Sequence, residues 1–176
     1  MTKRIGYLAL PLVLAACNHA TGGTAASGAP AATQAPLTPA AVGQAAPDFD
    51  EPLASGGMLA MDSLKGKAVY LNFFASWCPP CNAEAPDVNA VYRKYERKGL
   101  DVVGVDVLEN AQKATAFVDE HHLTYPAVVD NGALRDAFDI NGLPVHVFID
   151  RSGVVRKIVV GELSRAEMEA DVKTIL

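Results

Sequence analysis

An α/β domain with a central mixed β-sheet, helices on its faces and an N-terminal β-hairpin extension is the fold class this sequence predicts. Three observations predict it. From residue 68 onward, strand-length apolar runs alternate with segments of helical periodicity. The last two runs are joined only by Asp150-Arg151-Ser152-Gly153, too short for a crossover, so that pair is antiparallel. Finally, Cys78-Pro79-Pro80-Cys81 stands where the first core strand passes into the first long helix.

In chain order, Met1 to Ala16 reads as a signal segment. Lys3 and Arg4 form its positive end and Ile5–Ala16 its apolar stretch, too short to span a bilayer comfortably. The stretch ends in Leu14-Ala15-Ala16-Cys17, which resembles the bacterial lipobox. Cleavage before Cys17 would leave that thiol lipidated, and several acyl chains anchor firmly because each buried methylene contributes about 0.8 kcal/mol. An ordinary secretory signal or an uncleaved anchor is the alternative. Residues 17–45 are then the lipidated cysteine and a tether of Ala, Pro, Gly, Thr, Ser and Gln without an acidic residue, Lys or Arg. Such a composition buries too little surface to offset ordering, and as a flexible coil it reaches roughly 30 Å.

The domain is expected over residues 46–176. Glu51 to Ala60 reads as a hairpin turning at Gly56-Gly57, and Asp62 to Lys67 as a turn or short helix. Ala68 to Phe74 is a strand. The helix after it, from about Pro79 to Lys98, carries Val88, Val91, Tyr92 and Tyr95 as its buried stripe, has Pro86 inside it and ends at Gly99. Leu100 to Val107 is a strand buried on both faces. Asn110 caps a helix to about His122, Tyr125 to Val129 is a strand, and Ala133 to Asp139 a short helix. Pro144 to Ile149 and Val154 to Val160 are the antiparallel pair, and Ser164-Arg165-Ala166-Glu167 is a capping box opening the last helix.

The balance of charge narrows the partners. Fifteen Lys and Arg face 20 acidic residues, and loss of Lys3 and Arg4 deepens the deficit. With no basic run in the body, nucleic acid is not an expected partner. Of three cysteines, one belongs to the signal, which leaves Cys78 and Cys81 as the pair in the domain.

Two cysteines three apart at a strand-to-helix junction place the first thiol at a helix N-terminus. Unpaired N–H groups and the dipole stabilise a thiolate there, and the second cysteine is close enough to form a disulfide. Redox exchange is the leading reading. A structural disulfide would constrain little in so small a ring. A zinc half-site lacks a second Cys-x-x-Cys or close His pair. Pro79 and Pro80 carry no N–H, so the donors expected for Cys78 are Cys81 and Asn82, and the thiol should be only moderately acidified. Asp106 and Glu109 read as surface acids, and His121 with His122 as a solvated helix end.

A family resemblance covers roughly Ala46 to Leu176. It rests on Ala46-Pro47-Asp48-Phe49, Gly66-Lys67, Asn72-Phe73-Phe74-Ala75-Ser76-Trp77-Cys78-Pro79-Pro80-Cys81, Glu84-Ala85-Pro86, Val103-Gly104-Val105, Gly142-Leu143-Pro144 and Phe148-Ile149-Asp150. These resemble the TlpA/ResA/CcmG-like group of membrane-tethered thiol–disulfide oxidoreductases with a thioredoxin fold. The resemblance implies that Cys78 is the exposed attacking cysteine and Cys81 the buried resolving one. It also implies that Pro144 is a cis proline facing the disulfide, that Leu143 pairs with an extended substrate chain, and that Glu84 is an acid near the buried thiol. On spacing alone, Glu84 reads as an exposed helix residue and Pro144 as a trans proline starting a strand.

Asn72 stands where thioredoxin has a buried Asp, and Trp77 belongs to the matched motif. His146 departs from the pattern, since relatives carry small hydroxyl residues after the proline. It shares the Pro144 side of its strand, and is either a core histidine satisfied by a hydrogen bond or a group that tunes or relays the Cys81 proton. The resemblance further implies a monomer without metal or organic cofactor, its redox group being the Cys78–Cys81 pair. It faces the periplasm from a lipid anchor in either envelope membrane, reduces disulfides of envelope proteins, often in cytochrome c maturation, and is itself reduced by a DsbD/CcdA-like membrane donor. The alternatives are a disulfide oxidase or isomerase, a copper chaperone using Cys78, Cys81 and His146, and a peroxiredoxin.

Overall fold

The computed structural model describes residues 39–176. The expected signal segment, the Cys17 lipidation site and the tether as far as residue 38 lie outside the described residues. The elements run β1 (Asp50–Pro52), β2 (Met58–Ala60), β3 (Ala68–Phe74), α1 (Pro79–Tyr95), β4 (Leu100–Val107), α2 (Ala111–Glu120), β5 (Ala127–Asp130), α3 (Ala133–Ala137), β6 (Val145–Ile149), β7 (Val155–Val160) and α4 (Arg165–Ile175). β1 and β2 form a separate antiparallel hairpin. The five other strands form one sheet in the order β5-β4-β3-β6-β7. Within it β3, β4 and β5 are mutually parallel, while β6 and β7 run antiparallel to their neighbours. This is the expected mixed sheet, a thioredoxin fold carrying an N-terminal hairpin.

β3 reads as an unbroken apolar run because both its faces are covered, so side chains alternate between two cores. Tyr70 and Phe74 face α1 and α4, against Val88, Val91, Met168 and Val172. Val69, Leu71 and Phe73 face the other way, against Leu134 and Phe138 beside α3. Helix ends follow their local chemistry. Asn110 Oδ1 accepts the Lys113 N–H at 3.1 Å, and Ser164 with Glu167 closes the predicted capping box at α4. Each such cap contributes on the order of 1 kcal/mol. After α1 a short 3-10 turn, Glu96–Lys98, leads to Gly99 at φ 94°, a left-handed backbone that a Cβ would penalise.

The domain begins earlier than residue 46. Gly43 N–H donates to Val155 O, Val155 N–H to Gln44 O, and Ala46 N–H to Gly153 O, which straps residues 43–46 onto the start of β7. Upstream, Ala40 is buried and donates to Ala137 O at 2.7 Å. These attachments are all backbone, so a composition rich in Ala and Gly carries no sign of them. The chain then crosses the α3 side of the sheet, and beyond β1 it meets the opposite edge. There Leu53 bridges Val128, and Ala54 N–H donates to Ala127 O.

Gly104 in β4 lies under aromatic rings. A Cβ there would stand 3.0 Å from Phe74 Cε1 and 3.3 Å from Tyr125 Cε2, and Phe74 is itself stacked on Phe117. Gly104→Val is therefore expected to destabilise the domain by about 1–3 kcal/mol despite better strand propensity. Urea unfolding midpoints of the two proteins check this.

Candidate active site

Cys78 has the extended backbone of an N-cap residue, φ −87° and ψ 108°, and Pro79 and Pro80 occupy the first turn where their missing N–H groups cost nothing. One N–H is left pointing at sulfur: Cys81 N lies 3.4 Å from Cys78 Sγ. Asn82 N–H, the other expected donor, bonds instead to the Cys78 carbonyl at 3.1 Å. Cys78 and Cys81 are joined as a disulfide with Cα atoms 5.3 Å apart. The expected exposure of Cys78 is not found, since the residue is only 3% accessible. Trp77, 69% accessible, is the neighbouring group at the surface.

Beneath the cystine lies a buried polar cluster built by register. Asn72 on β3 is paired with His146 on β6, and Glu84 reaches both from α1. Glu84 Oε1 accepts from Asn72 Nδ2 at 3.0 Å, and Oε2 accepts from Leu163 N–H at 3.3 Å. His146 Nε2 sits 3.4 Å from Oε2 and 3.0 Å from Gly161 O. A carbonyl only accepts, so Nε2 carries hydrogen. Nδ1 then accepts from the Tyr70 hydroxyl at 2.7 Å. Burial first, and then the Glu84 charge, push Tyr70 well above the ordinary phenol range, so it keeps the proton this bond requires. Every polar neighbour of Glu84 offers it a hydrogen. Glu84, Asn72 and His146 are thus brought together, with the imidazole fully inaccessible.

Beside the cystine an open groove of about 420 Å³ runs between Trp77, Leu108, Ile140 and Leu143, with Arg135 at its rim. The Leu143–Pro144 peptide is cis. Leu143 also packs against the buried cluster that contains Cys78 and Cys81. Among the described residues no group of three or more His, Cys, Asp or Glu is arranged to hold a metal, and no helix is long and apolar enough to cross a membrane.

With a cystine capping the first long helix of this sheet, comparison with known proteins becomes informative. The AhpC/TSA family pattern matches residues 42–158. The thiol–disulfide oxidoreductase ResA of Bacillus thuringiensis is 33% identical over 135 residues, 76% of this chain and 78% of that protein. The chain belongs to the AhpC/TSA family, as a ResA-like thiol–disulfide oxidoreductase. Among solved structures it is similar to a thiol:disulfide interchange protein of Chlorobium tepidum, 34% identical with TM-score 0.71, over 77% of this chain and 97% of that one. It is also similar to a secreted Mycobacterium tuberculosis disulfide oxidoreductase homologous to DsbE, 26% identical with TM-score 0.66, over 72% and 95%. Its redox chemistry resides in the Cys78–Cys81 pair.

Three residues of this ResA-like protein depart from their sequence reading. Asp106 is fully buried, with neither carboxyl oxygen hydrogen-bonded. Its even-numbered place in β4 puts it on the face of Val102 and Gly104, and only its charge suggested otherwise. Glu109 is half-buried and binds Ser76. His121 is also half-buried, resting against Phe117 and sharing a 2.9 Å hydrogen bond with Asn82 Oδ1. Tyr70 went unnoticed as a polar partner, although its position two residues before Asn72 places both on one face.

Burial, and then Glu109, raise Asp106 to about 8. An acid raised this way binds more protons folded than unfolded, so it lowers stability progressively as pH climbs from about 4 toward 8, and the loss is constant above that. Asp106→Asn is expected to raise the thermal midpoint by roughly 3–8 °C at pH 9 and to change little near pH 4. Calorimetry at both pH values checks it.

Proposed function

We propose that this protein reduces disulfides in extended protein substrates of the bacterial cell envelope, anchored through Cys17 and recharged by a DsbD/CcdA-like membrane donor. The observation that carries the direction is the single N–H at Cys78 Sγ. A strongly oxidising cystine owes its potential to a well-stabilised reduced form. Here two prolines remove donors from the first helical turn, and Asn82 spends its N–H on a carbonyl. The thiolate is left with modest support, which favours giving electrons away.

The groove supplies the substrate side. A chain segment lying across Trp77 and Leu143 buries apolar surface next to the cystine and can bond the backbone at Leu143. In the reduced protein the Cys78 thiolate attacks one sulfur of the substrate disulfide, forming a mixed disulfide and releasing the other sulfur as a thiolate, which takes a proton from water. Cys81 then loses its proton and attacks Cys78 Sγ. The protein disulfide re-forms, and the second substrate sulfur leaves as a thiol. Glu84, one helical turn after Cys81, is the base in reach of that proton, positioned by Asn72 and the Leu163 N–H. His146 links it to Tyr70. Periplasm-facing service to envelope proteins, including cytochrome c maturation, is the setting that the ResA relatives and the expected anchor support.

Insulin reduction together with a measured midpoint potential tests the direction. A value below about −200 mV is expected, and one near −120 mV would mark an oxidase instead. Cys81→Ala should accumulate a mixed disulfide on Cys78 from which the partner can be identified. Glu84→Gln should slow its resolution about 100-fold in single turnover while leaving the first attack near its normal rate. Equal slowing of both steps would remove Glu84 from the proton path.

A further inference from the structure

Ser76-Trp77-Cys78 connects β3 to α1 without regular secondary structure, so something else must fix the attacking sulfur. Two side chains do so. Asn82 Nδ2 donates to the Ser76 carbonyl at 3.0 Å and to the Cys78 carbonyl at 2.8 Å, and its own oxygen is bonded to His121. Glu109, from the β4–α2 connection, grips the same segment with both oxygens. Oε2 accepts the Ser76 N–H at 2.5 Å and Oε1 accepts the Ser76 hydroxyl at 2.8 Å. Two donors require two acceptors, which an ionised carboxylate has and an amide does not. Leu108, just before it, takes a left-handed backbone at φ 58°, uncommon for a residue with a Cβ, and so turns the chain toward this contact.

Resting on the exchange chemistry proposed above, we propose that Glu109 is a positioning residue for Cys78, and that the protonation of Asp106 sets the pH range over which Glu109 holds the Ser76–Cys78 segment. Asp106 lies three residues upstream near the end of strand β4, sealed from solvent and with neither carboxyl oxygen hydrogen-bonded. A carboxyl left orphaned in this way costs stability that an apolar residue of similar size would not. While Asp106 keeps its proton, both Glu109 oxygens serve Ser76. When Asp106 ionises, its charge repels the Glu109 side chain three residues on, and the grip on the Ser76 segment loosens. The titratable groups on the surrounding elements are Glu109 on the connection, His121 just after α2 acting through Asn82, and Cys78 at the N-cap of α1 when reduced. β3 and β5 present uncharged Phe74 and Val129 in register with Asp106.

The test uses the full chain carrying Cys81→Ala, so that Cys78 reacts alone. Its second-order rate with a small aromatic disulfide is followed from pH 6 to 10 and divided by the thiolate fraction read from ultraviolet absorbance. In the parent this normalised rate should fall severalfold as pH passes through about 8. Asp106→Asn should abolish the fall, and Glu109→Gln should lower the normalised rate about three- to tenfold at pH 7. Should Asp106→Asn not fold, the Glu109→Gln arm decides alone. A pH-independent parent, an Asp106→Asn profile that still falls, or a Glu109→Gln rate equal to the parent overturns the inference while leaving the exchange reading intact. A parent that exchanges with no disulfide at any pH overturns both.

Discussion

The site depends on β3 being hydrogen-bonded along both edges. Its parallel pairing with β4 and antiparallel pairing with β6 fix its register on two sides at once. A one-residue slip in either ladder would turn Asn72 away from the α1 face and exchange the two cores. Because the register holds, Asn72 meets His146, Tyr70 meets Phe148, and the strand delivers Ser76 and Cys78 to the tip of α1. The cystine is thus a consequence of sheet pairing as much as of helix chemistry.

The two polar clusters around the cystine differ in how fully they are satisfied. In the Glu84 cluster, both carboxyl oxygens, both imidazole nitrogens and the Tyr70 hydroxyl have partners, which rigidifies a fully buried site. In the other, Asp106 has none while Glu109 binds through both its oxygens. A satisfied network suits the fixed base proposed for Glu84. A half-satisfied one suits a group whose charge changes. Nearby, the buried Tyr125 hydroxyl is also unpaired, and burial, followed by Glu84, raises it far above the phenol range. It stays neutral.

The sequence made the element order, the cystine, the hairpin and both helix caps readable because each rests on local chemistry. Asn110, Ser164 with Glu167, and Gly99 act within a few residues of themselves. The pairing of Asn72 with His146 was reachable from strand periodicity. What escaped were groups whose environment comes from a distant segment. Asp106 looks like a surface acid until β3, β5 and α2 close over it. Asn82 looks like an ordinary second-turn residue until its amide is seen bridging two carbonyls of the preceding loop. Residues 43–46 are held chiefly by backbone bonds, which leave little mark in the sequence.

That N-terminal segment does more than lead into the domain. An open sheet has two edge strands whose free N–H and C=O groups invite pairing with a second molecule. Here residues 43–46 cover the start of β7, and Leu53 and Ala54 cover the start of β5, so one stretch of chain touches both rims. Beyond the covered part, β7 presents Arg156 and Lys157, charges that discourage edge-to-edge contact. The sheet margins are thus partly covered and partly guarded by charge, while the cystine at the tip of α1 stays clear of both.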